Sequence, residues 1–381
     1  MALREIRIAR WLRAAAVGLL ALALVGTMVT AGWAAPAGTC FGERATITGS
    51  GSIDGTAGSD VIVGSDGSDT IDARSGNDLI CGLAGDDVLV GGLGNDQLAG
   101  GAGADDLVGD VSAGGSQTPA PDPGTGDAVG GGNDRLLGED GDDIISGDSF
   151  APNGDATGGG NDQLFGGDGF DRMAGDSNTE TGTASGGGND LLVGGEGIDS
   201  LVGDSHALFA GDAQGAGDDV LQGGPGLDAL IGDSEGGNAS GSGGDDLLDL
   251  GSDGGFFALG DHNAPGSATG AGNDRLIGGR TDDFLFGDSS ADGVVMAAGN
   301  DTLVARGGND TLFADNVNFA GSASVGTMGG RDLLDAGDGV DTLRAGPAND
   351  ILDGGPGSPD DCDGEAGIDT AKSCEILTGV P

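Results

Sequence analysis

Residues 55–108, broken every nine, read "GTAGSDVIV GSDGSDTID ARSGNDLIC GLAGDDVLV GGLGNDQLA GGAGADDLV". The sixth place of every nonapeptide is aspartate: Asp60, Asp69, Asp78, Asp87, Asp96 and Asp105. The eighth is Ile62, Ile71, Ile80, Leu89, Leu98 and Leu107, and the fourth is always glycine. An apolar residue between two others makes a three-residue strand with one side chain pointing inward. The other six residues make a turn, which glycine permits by adopting positive φ. A single nonapeptide cannot bury its one apolar side chain. Stacked copies can, and this predicts an all-β solenoid.

Outward from this array the period lengthens. Residues 111–131 break the frame with proline and glycine and read as a loop. From Gly132, two nonapeptides are followed by about ten less regular residues, as in "GGGNDLLVGGEGIDSLVGDS" at 186–205. The leading aspartates are Asp134, Asp162, Asp190, Asp219, Asp246, Asp274, Asp301 and Asp332, spaced 27 to 31 residues apart. Asp350 keeps the leading position at the end of the array. A second series runs Asp143, Asp171, Asp199, Asp228, Asp283, Asp310 and Asp341; the unit near Gly254 lacks a member. A third series closes each unit in "GD" or "AD", from Asp110 and Asp148 to Asp204 and Asp315. The inserts allow two readings. They bulge as loops from an ordinary two-sided coil, or they add a third side. Small or apolar residues recurring six or seven places ahead of the leading aspartate (Ala156, Ala184, Ala213, Ala239, Ala268, Val295, Val325) support the third side, but loops are favoured, narrowly.

Composition agrees with a repeat architecture. There are 86 glycines, 63 acidic and 14 basic residues, a net charge of −49, 3% aromatics and no tyrosine. A conventional layered core needs more bulk than this, and a disordered acidic chain has no reason to keep apolar residues in phase. The charge attracts cations and repels nucleic acid and anionic membranes. Lysine occurs only as Lys372, so there is no basic patch.

Residues 1–37 stand apart. Arg4, Arg7, Arg10 and Arg13 precede an apolar run from Ala14 to Ala35, which reads as a secretory signal peptide followed by an extracellular mature chain with no membrane span. An uncleaved membrane anchor is the rival. The cysteines fit an exported protein: Cys40 and Cys81 lie near one end, Cys362 and Cys374 near the other. Pairing Cys40 with Cys81 and Cys362 with Cys374 would clip both ends, but four cysteines allow three pairings and the sequence does not choose. The expected organisation is a signal peptide (1–37), an N-terminal cap (38–54), a nonapeptide array (55–110), a loop (111–131), a super-repeat solenoid (132–353) and a disulfide cap (354–381).

The turns carry the chemistry. Glycines leave backbone carbonyls uncovered, and aspartate sets a carboxylate beside them. No histidine or cysteine belongs to the repeat. A wholly oxygen donor set suits Ca²⁺, which takes six to eight oxygens in loose geometry, better than Mg²⁺, which demands octahedral order. Folding and metal binding should then be one equilibrium. His206 and His262 follow closing aspartates and are expected on exposed loops. No nucleophile elbow, zinc-protease helix or phosphate loop occurs, so an enzyme is not expected.

The tandem "GGxGxDxΦx" pattern resembles the haemolysin-type, or RTX, calcium-binding repeat of secreted actinobacterial proteins. Residues 55–108 match it unit by unit, and 132–353 match it in pairs. The resemblance implies a parallel β-roll with several Ca²⁺ ions in its turns. It implies side-chain ligands at Asp60, Asp69, Asp78, Asp87, Asp96, Asp105 and both paired series above, Asp350 included. Turn glycines such as Gly76, Gly85 and Gly94 would offer carbonyls. The role expected is structural or at a surface, the alternative an adhesin or partner-binding solenoid using the variable inserts.

Overall fold

The computed structural model describes residues 38–112, 126–208 and 211–380. The expected signal peptide and residues 113–125 of the expected loop lie outside these. Every regular element of the described chain is a short strand. Two fourteen-stranded sheets run through the described residues. The first takes Val61–Val63, Leu79–Ala84 and Gln97–Ala102; the second takes Thr70–Asp72, Val88–Val90 and Asp106–Val108. The chain alternates between them, so neighbours within a sheet are one coil apart and parallel: Ile62 faces Ile80, and Ile80 faces Leu98. The two-strand coil that the nonapeptide spacing predicts is therefore present.

The inward residue of each strand stacks on its equivalent in the next coil. Ile62, Ile80, Leu98, Leu136, Leu164 and Leu192 from one sheet meet Ile71, Leu89, Leu107, Ile145, Met173 and Leu201 from the other in one narrow core, all essentially without exposure. Burying an aliphatic side chain contributes about 1.5–3 kcal/mol, so many stacked coils are needed to hold a core one side chain deep.

The inserts are not loops. Ala128–Val129, Ala156–Thr157, Ala184–Ser185, Asp212–Gln214, Asn238–Ser240, Ala268–Thr269 and Val295–Met296 pair in register as a seven-stranded parallel sheet. The inserts up to Val295–Met296 thus supply a third side to the coil, in place of the loops expected. The physical reason is the alanine row: Ala128, Ala156, Ala184 and Ala213 point inward at 0% exposure, where a larger side chain would hold the chain away from the core. Ala128–Val129, expected in the boundary loop, begins this sheet, whereas Val325 takes no part in it. Short strands immediately after the closing aspartates, Phe150–Ala151, Asn178–Thr179 and His206–Ala207, form a further strip.

The three-sided coils also carry a second apolar cluster that the one-inward-residue reading missed. Val202, Ile231, Leu259, Phe286 and Phe313 each follow the inward residue of the second sheet and are buried with Val317, which belongs to an insert. At the ends, Cys40 is bonded to Cys81 and Cys362 to Cys374, with Cα atoms 5.8 and 6.0 Å apart. The first closes 41 residues and ties the antiparallel pair Thr39–Cys40 and Glu43–Arg44 to the stack.

Candidate metal centres

The three residues after each turn are drawn into a strand, and this fixes the aspartate that precedes them. Its backbone carbonyl accepts from the next coil's strand, as in Leu79 N–H to Asp60 O at 3.0 Å. Its backbone N–H donates to the next coil's carboxylate. Asp60 N–H donates to Asp78 Oδ1 at 2.6 Å, Asp78 to Asp96 at 2.7 Å, Asp96 to Asp134 at 2.6 Å and Asp134 to Asp162 at 2.6 Å. The row continues through Asp190, Asp219, Asp246, Asp274, Asp301, Asp332 and Asp350. On the opposite edge Asp69, Asp87, Asp105, Asp143, Asp171, Asp199 and Asp228 form a second row by the same contact. After an interruption it resumes at Asp283, Asp310 and Asp341. The sequence had placed these residues one above another. It did not show that Oδ1 of each, Asp60 excepted, is already occupied by a backbone donor, while Asp60 Oδ1 accepts from Thr46 Oγ1 at 3.3 Å.

What remains is Oδ2. In Asp78, Asp87, Asp96, Asp105, Asp134, Asp143 and their successors in both rows this oxygen is buried and has no hydrogen-bond partner. Leaving such an atom unmatched costs about 1–3 kcal/mol, more for a charged group. Beside it lies an uncovered carbonyl. Next to Gly138, a side chain's first carbon would fill a space between Asp143 Oδ2 and Gly166 O, at 2.6 Å from the latter. Gly166 has the same neighbours in Asp171 Oδ2 and Gly194 O. Only glycine leaves that space open, and hard oxygens line it. These residues fit a Ca²⁺ ion and offer nothing of the nitrogen or sulfur that Zn²⁺ sites use.

Three predicted residues differ. Asp60 Oδ2 accepts from Thr56 N–H at 2.8 Å, Asp69 Oδ2 from Ser65 N–H at 2.6 Å, and Asp283 Oδ2 from Gly279 N–H at 2.7 Å. Their second oxygens are satisfied within the chain. The coil lacking a second-row aspartate has Phe256 in that register, because Phe257 pairs with both Ala229 and Phe284, the residues after Asp228 and Asp283. Phe256 is 61% exposed, and Gly255 N–H donates to Asp283 Oδ1 at 2.8 Å instead.

Both rows extend beyond the residues predicted. Asp350 N–H donates to Asp369 Oδ1, Asp341 N–H to Asp360 Oδ1, and Asp360 N–H to Glu375 Oε2, each at 3.0 Å. The spacing of "GEAGIDTAK" at 364–372 carried the signal for Asp369. The closing series is a third row: Asp110, Asp148, Asp176, Asp204, Asp233, Asp261 and Asp288 have 0% exposure. Oxygens of Asp148, Asp162 and Asp176 lie within 4.8 Å of one another, as do those of Asp110, Asp134 and Asp148, and of Asp176, Asp190 and Asp204.

The electrostatics without a cation are unfavourable. Burial, opposed by the backbone hydrogen bond, pushes the carboxyl of Asp78 up to about 6 and those of Asp143 and Asp171 to about 7. Asp134 reaches about 8, again mainly through burial. Asp162 and Asp176 are raised further, by burial first and then by neighbouring aspartate charges. Two carboxylates about 4.8 Å apart repel by roughly 3 kcal/mol at an effective dielectric near 20. A cation between them reverses that sign.

The histidines do not sit on exposed loops. His262 replaces the serine that follows other closing aspartates and is fully buried, its Nδ1 3.7 Å from Asp233 Oδ2; burial lowers its pKa to about 4. His206 lies on a strand with Nε2 3.5 Å from Glu235 Oε2.

Comparison with known families agrees with this geometry. The model for the RTX calcium-binding nonapeptide repeat (4 copies) matches residues 47–111 in overlapping segments, then 128–151, 156–179, 185–207, 215–235, 268–294, 297–318 and 327–359. The match lapses over 236–267, the stretch that contains Phe256. No curated protein matches the chain. Repeats of this kind bind Ca²⁺, and the buried aspartate turns supply places for it. With more than half of its residues matched, the chain belongs to the RTX calcium-binding nonapeptide repeat family.

Proposed function

We propose that this protein is an exported calcium-loaded solenoid with a structural or surface role, folded by the ions it binds. The observation that carries the reading is the continuous line of buried, unpartnered Oδ2 atoms beside uncovered glycine carbonyls. The proposed side-chain ligands are the leading and second-row aspartates, with Asp60, Asp69 and Asp283 contributing least because their second oxygens already accept hydrogen bonds. Ca²⁺ would supply the positive charge that joins successive coils. The chain's own part is to hold Oδ1 by a backbone donor, aim Oδ2 at the turn and keep carbonyls bare with glycine.

Export through the segment 1–37 is supported by its Arg-rich start and apolar run, and the two disulfides fit an oxidising compartment. Among the described residues no helix is long and apolar enough to cross a membrane. We read the protein as non-catalytic, since the carboxylates that could form an acid–base pair belong to the repeat.

A second reading, a partner-binding solenoid, is favoured by the third sheet. Its outward row runs from Val129 to Met296, both apolar and exposed, and the five residues between them, Thr157, Ser185, Gln214, Ser240 and Thr269, form a polar strip suited to hydrogen bonding with an extended polar surface. The deciding experiment is a Ca²⁺ titration of the chelator-treated protein, followed by far-UV circular dichroism and equilibrium dialysis, with Mg²⁺ as control. Coil converting to β-structure as several ions bind supports the proposal. A β spectrum with no bound Ca²⁺ at millimolar concentration would overturn it.

A further inference from the structure

The paired strands show what each insert replaces. In the second sheet Val90 is in register with Val108, and Val108 with Ser146. The next two residues are Gly91 and Gly92 in the two-sided coil, Gly109 and Asp110 in the next, and Gly147 and Asp148 in the three-sided coil. In the first sheet Gln97, Arg135 and Gln163 are in register, which aligns Asp96, Asp134 and Asp162. An insert therefore opens the turn between its second glycine and its aspartate, and an aspartate stands where that glycine was.

The opened corner differs from the closed turn in charge. A closed turn of the second row brings one buried carboxylate per coil, from Asp143, Asp171 or Asp199. An opened corner brings two per coil, one leading and one closing. Asp148 and Asp176 each belong to two of the three-carboxylate groups, so the groups form a continuous line. Closing-row oxygens are buried and unpartnered: both oxygens of Asp110, and Oδ2 of Asp148, Asp176 and Asp204. Their other oxygen, where it is held, accepts from a turn glycine, as in Gly132 N–H to Asp148 Oδ1 at 3.0 Å and Gly160 N–H to Asp176 Oδ1 at 3.1 Å. The carbonyl that serves a closed turn is retained, since Gly147 lies against both Asp162 Oδ2 and Gly175 O.

We propose that the opened corners at Asp110–Asp134–Asp148, Asp148–Asp162–Asp176 and Asp176–Asp190–Asp204 are a separate class of cation site that fills at lower ion concentration than the closed turns. This rests on the reading of the chain as a calcium-loaded solenoid. One divalent cation per coil balances the two buried carboxylates of an opened corner, whereas a closed turn offers it a single buried one. Affinity at oxygen sites rises with ligand charge and rigidity, and an opened corner gathers the larger number of buried carboxylates. The ligand class is a hard cation of charge two or three, Ca²⁺ or a lanthanide. Binding there also ties the third side to the coil, because the closing aspartate begins each insert and the leading aspartate ends it.

The test is equilibrium dialysis of the full chain against buffered free Ca²⁺. Two classes of bound ion are expected, their midpoints at least tenfold apart. The double variant Asp148→Asn/Asp176→Asn should lose the tight class and keep the weaker one. Asp143→Asn/Asp171→Asn should keep the tight class and reduce the number of ions in the weaker one. A single class in the unmodified protein, or tight binding retained by the closing-row variant, would overturn the inference while leaving the calcium-loaded solenoid intact. No bound Ca²⁺ up to millimolar would defeat both. Should either variant fail to reach a β spectrum in saturating Ca²⁺, the two-class result in the unmodified protein still decides.

Discussion

The two edges of the solenoid have the same sequence motif but different surroundings. On the second-row edge the chain passes from strand to strand through six residues, and one aspartate faces one carbonyl of the next coil. On the other edge, from Asp110 to Asp332, nine or more residues are inserted, the turn opens and a second aspartate enters. The carboxyls respond accordingly. Asp143 and Asp171, on the closed edge, are raised to about 7, mainly by burial. Asp162, on the open edge, is raised further by burial and by the charges of Asp148 and Asp190. The comparison teaches that an insertion into a turn of this kind need not dilute its carboxylates. Here it is accompanied by an added buried one.

The strongest way to break the comparison is to remove the cation. Chelation at pH 7.5 is expected to abolish most of the β signal in far-UV circular dichroism, and Ca²⁺ at about 10⁻⁴–10⁻³ M, the range of extracellular modules, to restore it. Mg²⁺ should not. A chelator-resistant spectrum would mean that neither edge needs its ion.

Acid should act in the cation's place. The folded-state pKa values of Asp78, Asp143 and Asp134, about 6, 7 and 8, lie above the ordinary 3.8. The metal-free fold therefore holds more protons than the unfolded chain between these limits, and its stability falls as pH rises. Metal-free protein should be most ordered near pH 4 and least ordered above pH 8. Protons compete with Ca²⁺, so the calcium midpoint should move to lower concentration over the same rise. Thermal melts across that range with and without Ca²⁺ would read both slopes, and equal slopes would contradict the assignment of these carboxylates to the metal sites.

Glycine substitutions separate the edges more finely. A Cβ on Gly188, at an open corner, would land on the carbonyl oxygen of Gly160; one on Gly197, in a closed turn, would land on that of Gly169. Gly197 also has φ +154°, which alanine disfavours. Gly188→Ala should cost about 1–3 kcal/mol, and Gly197→Ala about 1 kcal/mol more for the backbone. Gly58→Ala, which meets nothing within 4 Å, should be near neutral. Chemical denaturation in saturating Ca²⁺ would rank them, and equal losses at Gly188 and Gly58 would remove the steric argument.

The smallest effect concerns the gap in the second row. Phe256→Asp restores an acid in register between Asp228 and Asp283. It should raise stability by about 1 kcal/mol in saturating Ca²⁺, the usual net worth of one charged contact, and lower it after chelation. The same sign under both conditions would show that this coil cannot hold an ion.

Much of this was legible because the repeat is strict. A residue that recurs every nine positions at Ile62, Ile71 and Ile80 must alternate between two sheets, and one carboxylate per turn names the ligand chemistry. The third side was harder to read. Only an alanine row marks it, and small residues fit loops as well as tightly packed strands. His262 was misplaced for a similar reason: its neighbours in sequence look like a loop, while its neighbours in space are a buried acid row.

The sequence by itself determined the coil period, the single inward apolar residue, the oxygen-only donor set and the family. Those depend on local pattern, which a period exposes. Only the tertiary structure decided which carboxylate oxygen is free, because that depends on a backbone donor one coil away: 18 residues at Asp78, 28 at Asp162 and 31 at Asp332. It alone also decided that the closing aspartates join the leading ones. Residues separated by an insert meet only after the insert has closed the third side of the coil.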